Sequence, residues 1–175
     1  LAAASLRDRD DKSAFISGFA GDDRFVVDYL ADEVLDRQPV ELRRFLLETS
    51  VLDRLSGPLC DAVTGQAGGG ATLATLERQN LLIVPLDDRR HWYRYHLLFA
   101  DVLRSRLLAE TSIDVGELHR RASTWFEQVG ETDAAVRHSV AAGDLDRAAD
   151  LVETAAPALR RQRGEGVIRG WISAI

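Results

Sequence analysis

Apolar residues return at three- and four-residue intervals along most of this chain, and in one short stretch they alternate instead. Phe25, Val26, Tyr29, Leu30 and Val34 keep helical spacing behind the capping candidates Gly21-Asp22-Asp23, and the pattern ends before Pro39. That spacing predicts an amphipathic helix, preceded by a shorter one over 13–19 capped by Ser13. Pro39 suits the first turn of the next helix, whose stripe is Leu42, Phe45, Leu46 and Thr49. Ser56-Gly57-Pro58 opens a helix holding Leu59, Cys60 and Val63, and Thr64-Gly65 closes it. Gly68-Gly69-Gly70 reads as a flexible link to a third helix over Leu73 to Gln79. Leu81-Leu82-Ile83-Val84 is β-prone, Asp87-Asp88-Arg89-Arg90 is a polar turn, and Trp92-Tyr93-Arg94-Tyr95 alternates as a returning strand does. Leu98, Val102, Leu103 and Leu107 then restore the helical period. Helix, helix, helix, hairpin, helix is the order of a winged-helix domain.

From Asp114 onward the chain is Ala-rich and carries no strand signal. Gly130-Glu131-Thr132-Asp133-Ala134-Ala135 is echoed by Gly143-Asp144-Leu145-Asp146-Arg147-Ala148. In both, Gly ends one helix, Asp starts the next and Ala permits close packing. About two helical hairpins fit before Ile175, so the array is expected to be cut short. The fold class expected is mainly α: a winged helix with one small β-hairpin, followed by α-helical repeats.

Composition narrows the function. With 46% hydrophobic and 29% charged residues over 175 positions, the chain can build a core. No apolar run approaches the ~20 residues of a membrane span, and Leu1 to Arg7 is too short for a secretory signal, so a cytoplasmic location without membrane attachment is expected. A net charge of -6 gives no positive field to draw in phosphate backbones. The lone Cys60 supports neither an internal disulfide nor a cysteine zinc site and reads as a small buried hydrophobe. Methionine is absent, the chain starts on Leu1, and the pattern at Trp171-Ile172-Ser173-Ala174-Ile175 is unfinished, so a piece of a longer protein is expected.

Four stretches carry a family resemblance: Gly21 through Leu30, Phe45 through Leu52, Leu55 through Asp61, and Trp92-Tyr93-Arg94-Tyr95-His96-Leu97-Leu98-Phe99. Over roughly Leu6 to Val152 the chain resembles the MalT-like, LuxR-type ATP-dependent transcriptional regulators. Their central portion is a signal-transduction NTPase of the STAND class. The family order is an NTPase core, a helical subdomain, a winged helix, a superhelix of tetratricopeptide-like repeats that senses an inducer, and a LuxR-type DNA-binding domain. The resemblance implies that 1–38 ends the helical subdomain, 39–111 is the winged helix and 112–175 begins the repeats. It implies ATP or ADP as cofactor of the full-length parent and none held by this chain alone. Its partners would be the parent's own NTPase domain and downstream repeats, plus an inducer or partner protein at the repeats, with DNA reached only through an output domain outside the chain. The same regulatory half stands behind a kinase domain in some actinobacterial Ser/Thr kinases, which is the alternative parent.

The phosphate loop itself is missing, because Lys12 is the one lysine and no Gly-rich spacing precedes it; the chain is therefore not expected to be an enzyme, whereas the parent is expected to be an ATPase. His96 follows the second strand and opens a helix, where backbone N–H groups and the positive dipole end favour an anion. The resemblance gives it a role: contact with the diphosphate of bound ADP, holding a closed resting state. Capping of its own helix, or a bond to a neighbour inside the domain, is the structural alternative. Arg94 is assigned to the solvent face, and Trp92, Tyr93, Tyr95 and Phe99 to core packing rather than base stacking.

A DNA-reading winged helix is the rival function. Its third helix, 71–79, carries a single Arg78 beside Glu77, and the wing balances Arg89 and Arg90 with Asp87 and Asp88, so no DNA-binding residues are assigned. His91, His96, His119 and His138 lack metal-ligand spacing, and His119 and His138 are expected on helix surfaces; no metal or catalytic residues are assigned. Asp22 and Asp23 read as capping residues, and Arg160, Arg161 and Arg163 as a solvated helix end.

Overall fold

The computed structural model describes residues 30–110, 112–161 and 170–171, with side chains given from residue 33 and not for 158–161. The helices expected before Leu30, the capping role of Asp22 and Asp23, and the Arg160, Arg161 and Arg163 side chains lie outside the described residues. The chain divides into two compact units, 1–37 and 38–175. In the first, Leu30–Leu35 winds as a π-helix, followed by a Glu33–Arg37 ion pair at 2.7 Å. Apolar spacing over six residues does not separate a π turn from the α-helix expected there.

The second unit begins with α1 (Val40–Thr49). Pro39 sits one position before the first turn, as the N-cap, and its carbonyl accepts the Arg43 N–H at 2.8 Å. Leu46, Leu47, Glu48 and Thr49 are buried in its last turn. Helix α2 (Gly57–Thr64) is capped by Ser56, whose Oγ accepts the Leu59 N–H at 3.4 Å, and Gly65 ends it in the left-handed conformation. Cys60 is fully buried within it, and that burial pushes its thiol up to about 12.

The Gly-rich stretch is not a flexible link. Gly69 and Gly70 form the first turn of α3 (Gly69–Arg78), and the Gly69 N–H donates to Asp61 Oδ1 at 2.6 Å. A Cβ on Gly69 would lie 2.7 Å from that oxygen, 2.9 Å from the Cys60 Cβ and 3.0 Å from the Gly57 carbonyl. Glycine is required because α2 and α3 cross backbone to backbone at this point. At its other end α3 closes on Asn80 at φ 52°, with Leu81 N–H to Leu76 O and Asn80 N–H to Glu77 O, the paired bonds of a Schellman turn.

That turn takes Leu81 and Leu82 out of the strand expected there. Strand β1 is Ile83–Pro85 and β2 is Tyr93–Tyr95, antiparallel with Ile83 opposite Tyr95 and Pro85 opposite Tyr93. A further bridge joins Tyr93 to Leu55, with N–H···O distances of 2.8 and 2.9 Å, and fastens the hairpin to the loop between α1 and α2. Helix α4 (Leu97–Ala109) returns against α1, where Arg43 meets Glu110 at 2.7 Å. Leu46, Leu55, Leu59, Leu73, Leu76 and Phe99 are closed off from solvent at the centre. The winged helix is thus present, followed by helices.

Among the described residues the unit continues with α5 (Val115–Gln128), α6 (Thr132–Ala141) and α7 (Leu145–Arg161), and Gly170 and Trp171 are helical as well. Asp114 caps α5 by accepting the Glu117 N–H at 2.9 Å. Gly130 and Gly143 end α5 and α6 at φ 80° and 73°, each followed by a Schellman bond: Glu131 N–H to Phe126 O and Asp144 N–H to Ser139 O. The echo in the sequence is the repetition of this turn. Ala122, Ala135, Ser123 and Ser139 are buried, and the two serine hydroxyls meet at 2.8 Å. The residues on both sides of position 112 belong to the same compact unit, because α5 packs against α2.

Gly69→Ala tests the helix crossing. The methyl would raise helix propensity by about 1 kcal/mol, but forcing it between two backbones costs about 1–3 kcal/mol. The expected outcome is net destabilisation, measured as a lower urea midpoint with an unchanged slope.

Candidate functional site

The position of His96 is set by its neighbours on β2 and α4. Tyr93 and Tyr95 point inward, each 5% exposed, and alternation turns Arg94 and His96 outward, where both are exposed. Tyr95 is anchored by a 2.7 Å bond between its hydroxyl and Thr49 Oγ1 and by edge-on contact with Phe99 at 5.9 Å. Its burial drives the phenol pKa upward, so it stays neutral. The His96 backbone N–H is held by the Leu82 carbonyl at 2.7 Å, and its own carbonyl accepts from Ala100 at 2.9 Å. His96 is the N-cap of α4, yet its imidazole makes no capping bond. The capping alternative is therefore not what the side chain does. Among the described residues the ring has no hydrogen-bond or ion-pair partner. It stands beside the first-turn N–H groups of a thirteen-residue helix, which have no acceptors within the helix.

Leu82, which holds His96, has φ 51°. A bulky residue in the left-handed region costs roughly 1–3 kcal/mol and persists only where its surroundings impose it. Local pattern does not show this feature, since Leu81 to Val84 reads as a uniform β-prone run. Leu97, next to His96, is 71% exposed.

The remaining candidates have structural places. Among the cations near the wing, Arg90 turns back to Glu77 at 3.1 Å, and Glu77 also accepts the Tyr93 hydroxyl at 3.3 Å. Asp87 shapes the turn by accepting the His91 and Trp92 N–H groups at 3.1 and 2.8 Å, and those bonds hold its carboxyl below the usual range. The exposed positions of α3 include Gly70, Ala71, Ala74 and Arg78. Phe99 and the two tyrosines pack in the core as expected. Trp92 is only half-buried: it meets Trp125 of α5 edge-on at 6.3 Å, with the Arg54 guanidinium 4.2 Å above it. Arg54 also pairs with Glu131 and stands 5.8 Å from the Phe126 ring. The aromatic stretch thus serves two cores, that of the winged helix and its seam with α5.

His119 and His138 depart from expectation. His138 is 8% exposed and His119 half-buried, and their Nδ1 atoms lie 2.8 Å apart. Burial pushes His138 down to about 4, with His119 adding to the shift, and burial also lowers His119. Helical periodicity places each ring on a helix but does not say which neighbouring helix covers it. A groove of about 280 Å³ beside α2 and α5 is lined by Ala62, Arg120, Arg121 and Trp125, and both arginines already bond Glu117 at 3.0 and 2.9 Å. Among the described residues no cluster of three His, Cys, Asp or Glu side chains is placed to hold a metal, and no helix is long and apolar enough to cross a membrane.

Comparison with known proteins adds a family to this geometry. The chain is 43% identical over 153 residues to the serine/threonine-protein kinase PknK of Mycobacterium tuberculosis, covering 87% of this chain and 14% of the kinase. It is 36% identical over 149 residues to the HTH-type transcriptional regulator MalT of Klebsiella pneumoniae, covering 85% of this chain and 16% of the regulator. A second Klebsiella pneumoniae MalT is 40% identical over 126 residues, 71% of this chain and 14% of its own length. The chain therefore spans about one-sixth or less of the length of these relatives. Residues 31–114, which take in every element from α1 to α4, match the MalT winged helix domain, and this segment of the chain belongs to that domain family.

Proposed function

We propose that this chain is the regulatory middle of a bacterial MalT-like transcriptional regulator, and that its winged helix senses nucleotide through His96. In this reading the parent carries a STAND-type NTPase core, and the imidazole of His96 contacts the diphosphate of ADP held there. The observation that carries the reading is the exposed His96 ring at the start of α4, without a partner among the described residues, on a backbone held by the Leu82 carbonyl. A neutral imidazole donates one hydrogen bond and an imidazolium adds charge; both suit a phosphate oxygen.

The contact acts on a conformational equilibrium and makes or breaks no covalent bond. ADP bridging the core and the winged helix favours the closed arrangement only by its difference in affinity between closed and open states. ATP and inducer favour the open one. The helices after 112 begin a tetratricopeptide-like array that receives an inducer or a partner protein, and an output domain outside this chain reaches DNA. The parent is placed in the cytoplasm, where ATP is available.

A second reading concerns the output alone. The 43% identity to a Ser/Thr kinase supports the same regulatory segment serving a kinase instead of a DNA-binding domain. The MalT winged-helix match favours the transcriptional reading. The coding sequence on either side distinguishes them, and lack of an upstream phosphate loop would defeat the nucleotide role in both.

His96→Ala in the full-length parent is expected to weaken ADP retention about 10- to 100-fold, the worth of one charge-assisted hydrogen bond. Basal output should rise with it. Unchanged ADP affinity together with unchanged basal activity would remove His96 from the mechanism.

The exposed face of α3, with Arg78 as its one arginine, and the Arg90–Glu77 pair at the wing support an indirect role toward DNA. Titration of the chain with duplex DNA between about 50 and about 200 mM salt should show no salt-dependent binding. Affinity that climbs steeply as salt falls would instead make the winged helix a DNA reader.

A further inference from the structure

The first hairpin of the helical tail is closed by two imidazoles. His119 of α5 and His138 of α6 lie with Nδ1 2.8 Å from Nδ1, their ring centres 5.1 Å apart. His138 also stacks on Phe126, 5.4 Å away and within 14° of parallel. Phe126 in turn lies 5.8 Å from the Arg54 guanidinium, which belongs to the winged helix and pairs with Glu131 at the start of α6. The two histidines, Phe126 and Arg54 are one contiguous stack running from the tail into the winged helix.

The bond has a strict proton requirement. One Nδ1 must carry hydrogen and the other must be bare. The neutral pair meets this, as does the pair with one extra proton. With two extra protons, both Nδ1 atoms bear hydrogen and two positive rings confront each other at hydrogen-bond distance.

We propose that His119 and His138 form a proton-operated latch that holds α5 to α6, and through Phe126 to Arg54, until the pair takes up its second extra proton.

Charged groups around the pair act in both directions. Asp53, in the loop after α1, favours the charged form of both rings. Arg104 of α4 opposes charge on His119, and Arg137 of α6 opposes it on His138. Arg104 and Asp53 also meet each other at 3.3 Å, which blunts the carboxylate's pull. Burial outweighs that pull: His138 falls from 6.5 to about 4, and His119 falls as well.

The sign follows from linkage. Between 6.5 and about 4 an open or unfolded tail binds protons that the closed tail refuses. The closed state is therefore fully stable above the ordinary histidine pKa and loses stability as pH falls through that window. A shift of this size changes the closing equilibrium by at most about 300-fold across it.

Hydrogen exchange and ring-nitrogen NMR on the chain, from about pH 7 to about pH 4.5, provide the test. The chain has four histidines, so the His119 and His138 rings are assignable with His119→Gln and His138→Gln. At about pH 7 the expected spectrum shows one protonated and one bare Nδ1 in the pair. On acidification, protection in α5 and α6 should fall by up to about 100-fold ahead of the winged helix, in step with uptake of the second proton. The double glutamine variant should lose most of that pH dependence. Both rings protonating with protection intact would overturn the latch, and that measurement needs no variant. Equal acid opening in the wild type and the double variant would also overturn it.

Discussion

The hydroxyl of Tyr95 and Oγ1 of Thr49 meet at 2.7 Å in the buried interior, and Thr49 Oγ1 also donates to the Phe45 carbonyl. A bond in that setting is costly to lose, because either partner left alone forfeits its solvation without compensation. With the Leu55–Tyr93 bridge, it fixes β2 against the end of α1 in one register. A slip of one residue would send Tyr93 and Tyr95 to solvent and bring Arg94 and His96 into the core. The exposure of His96 is thus a consequence of where the tyrosines are held.

The same register sets the other end of the strand. Trp92 leaves the winged-helix core and meets Trp125, with Arg54 over its face. Arg121 adds a bond from its guanidinium to the Val63 carbonyl at 3.2 Å, tying α5 to the end of α2. These contacts make the start of the helical tail an extension of the winged helix. A boundary drawn near residue 112 marks a change of composition, and the packing runs across it.

Most of the architecture was legible because it follows from periodicity and punctuation. Ser56-Gly57-Pro58 announces a capped helix, Tyr93-Arg94-Tyr95 a half-buried strand, and Gly130 and Gly143 the left-handed ends of helices. The failures share a cause. Gly69 is there to let two helices touch, Leu82 takes a left-handed conformation after a Schellman turn on Asn80, and the buried His pair depends on which helix covers which. Each is decided by a neighbour distant in sequence, and local pattern carries no information about that neighbour. A motif marks out His96, and the structure adds what a motif lacks, a backbone held by Leu82 and a ring without a partner among the described residues.

Helix α4 runs from His96 to the surroundings of the histidine pair. Its N-terminus carries His96, and two turns on, Arg104 donates to the Ser50 carbonyl at 3.0 Å and to Asp53 at 3.3 Å, beside the histidine pair. A rigid helix can convey a tilt at one end to the other, but contiguity alone is not coupling. Coupling requires that both events bias the same equilibrium. If ADP at His96 draws α4 toward the NTPase core, the position of Arg104 relative to Asp53 changes with it. The field at His119 and His138 would then shift, because both residues contribute to it. By reciprocity, protonation of the pair would change the affinity for ADP by the same factor. Nucleotide and proton would act through one helix, and neither would need to contact the other's site.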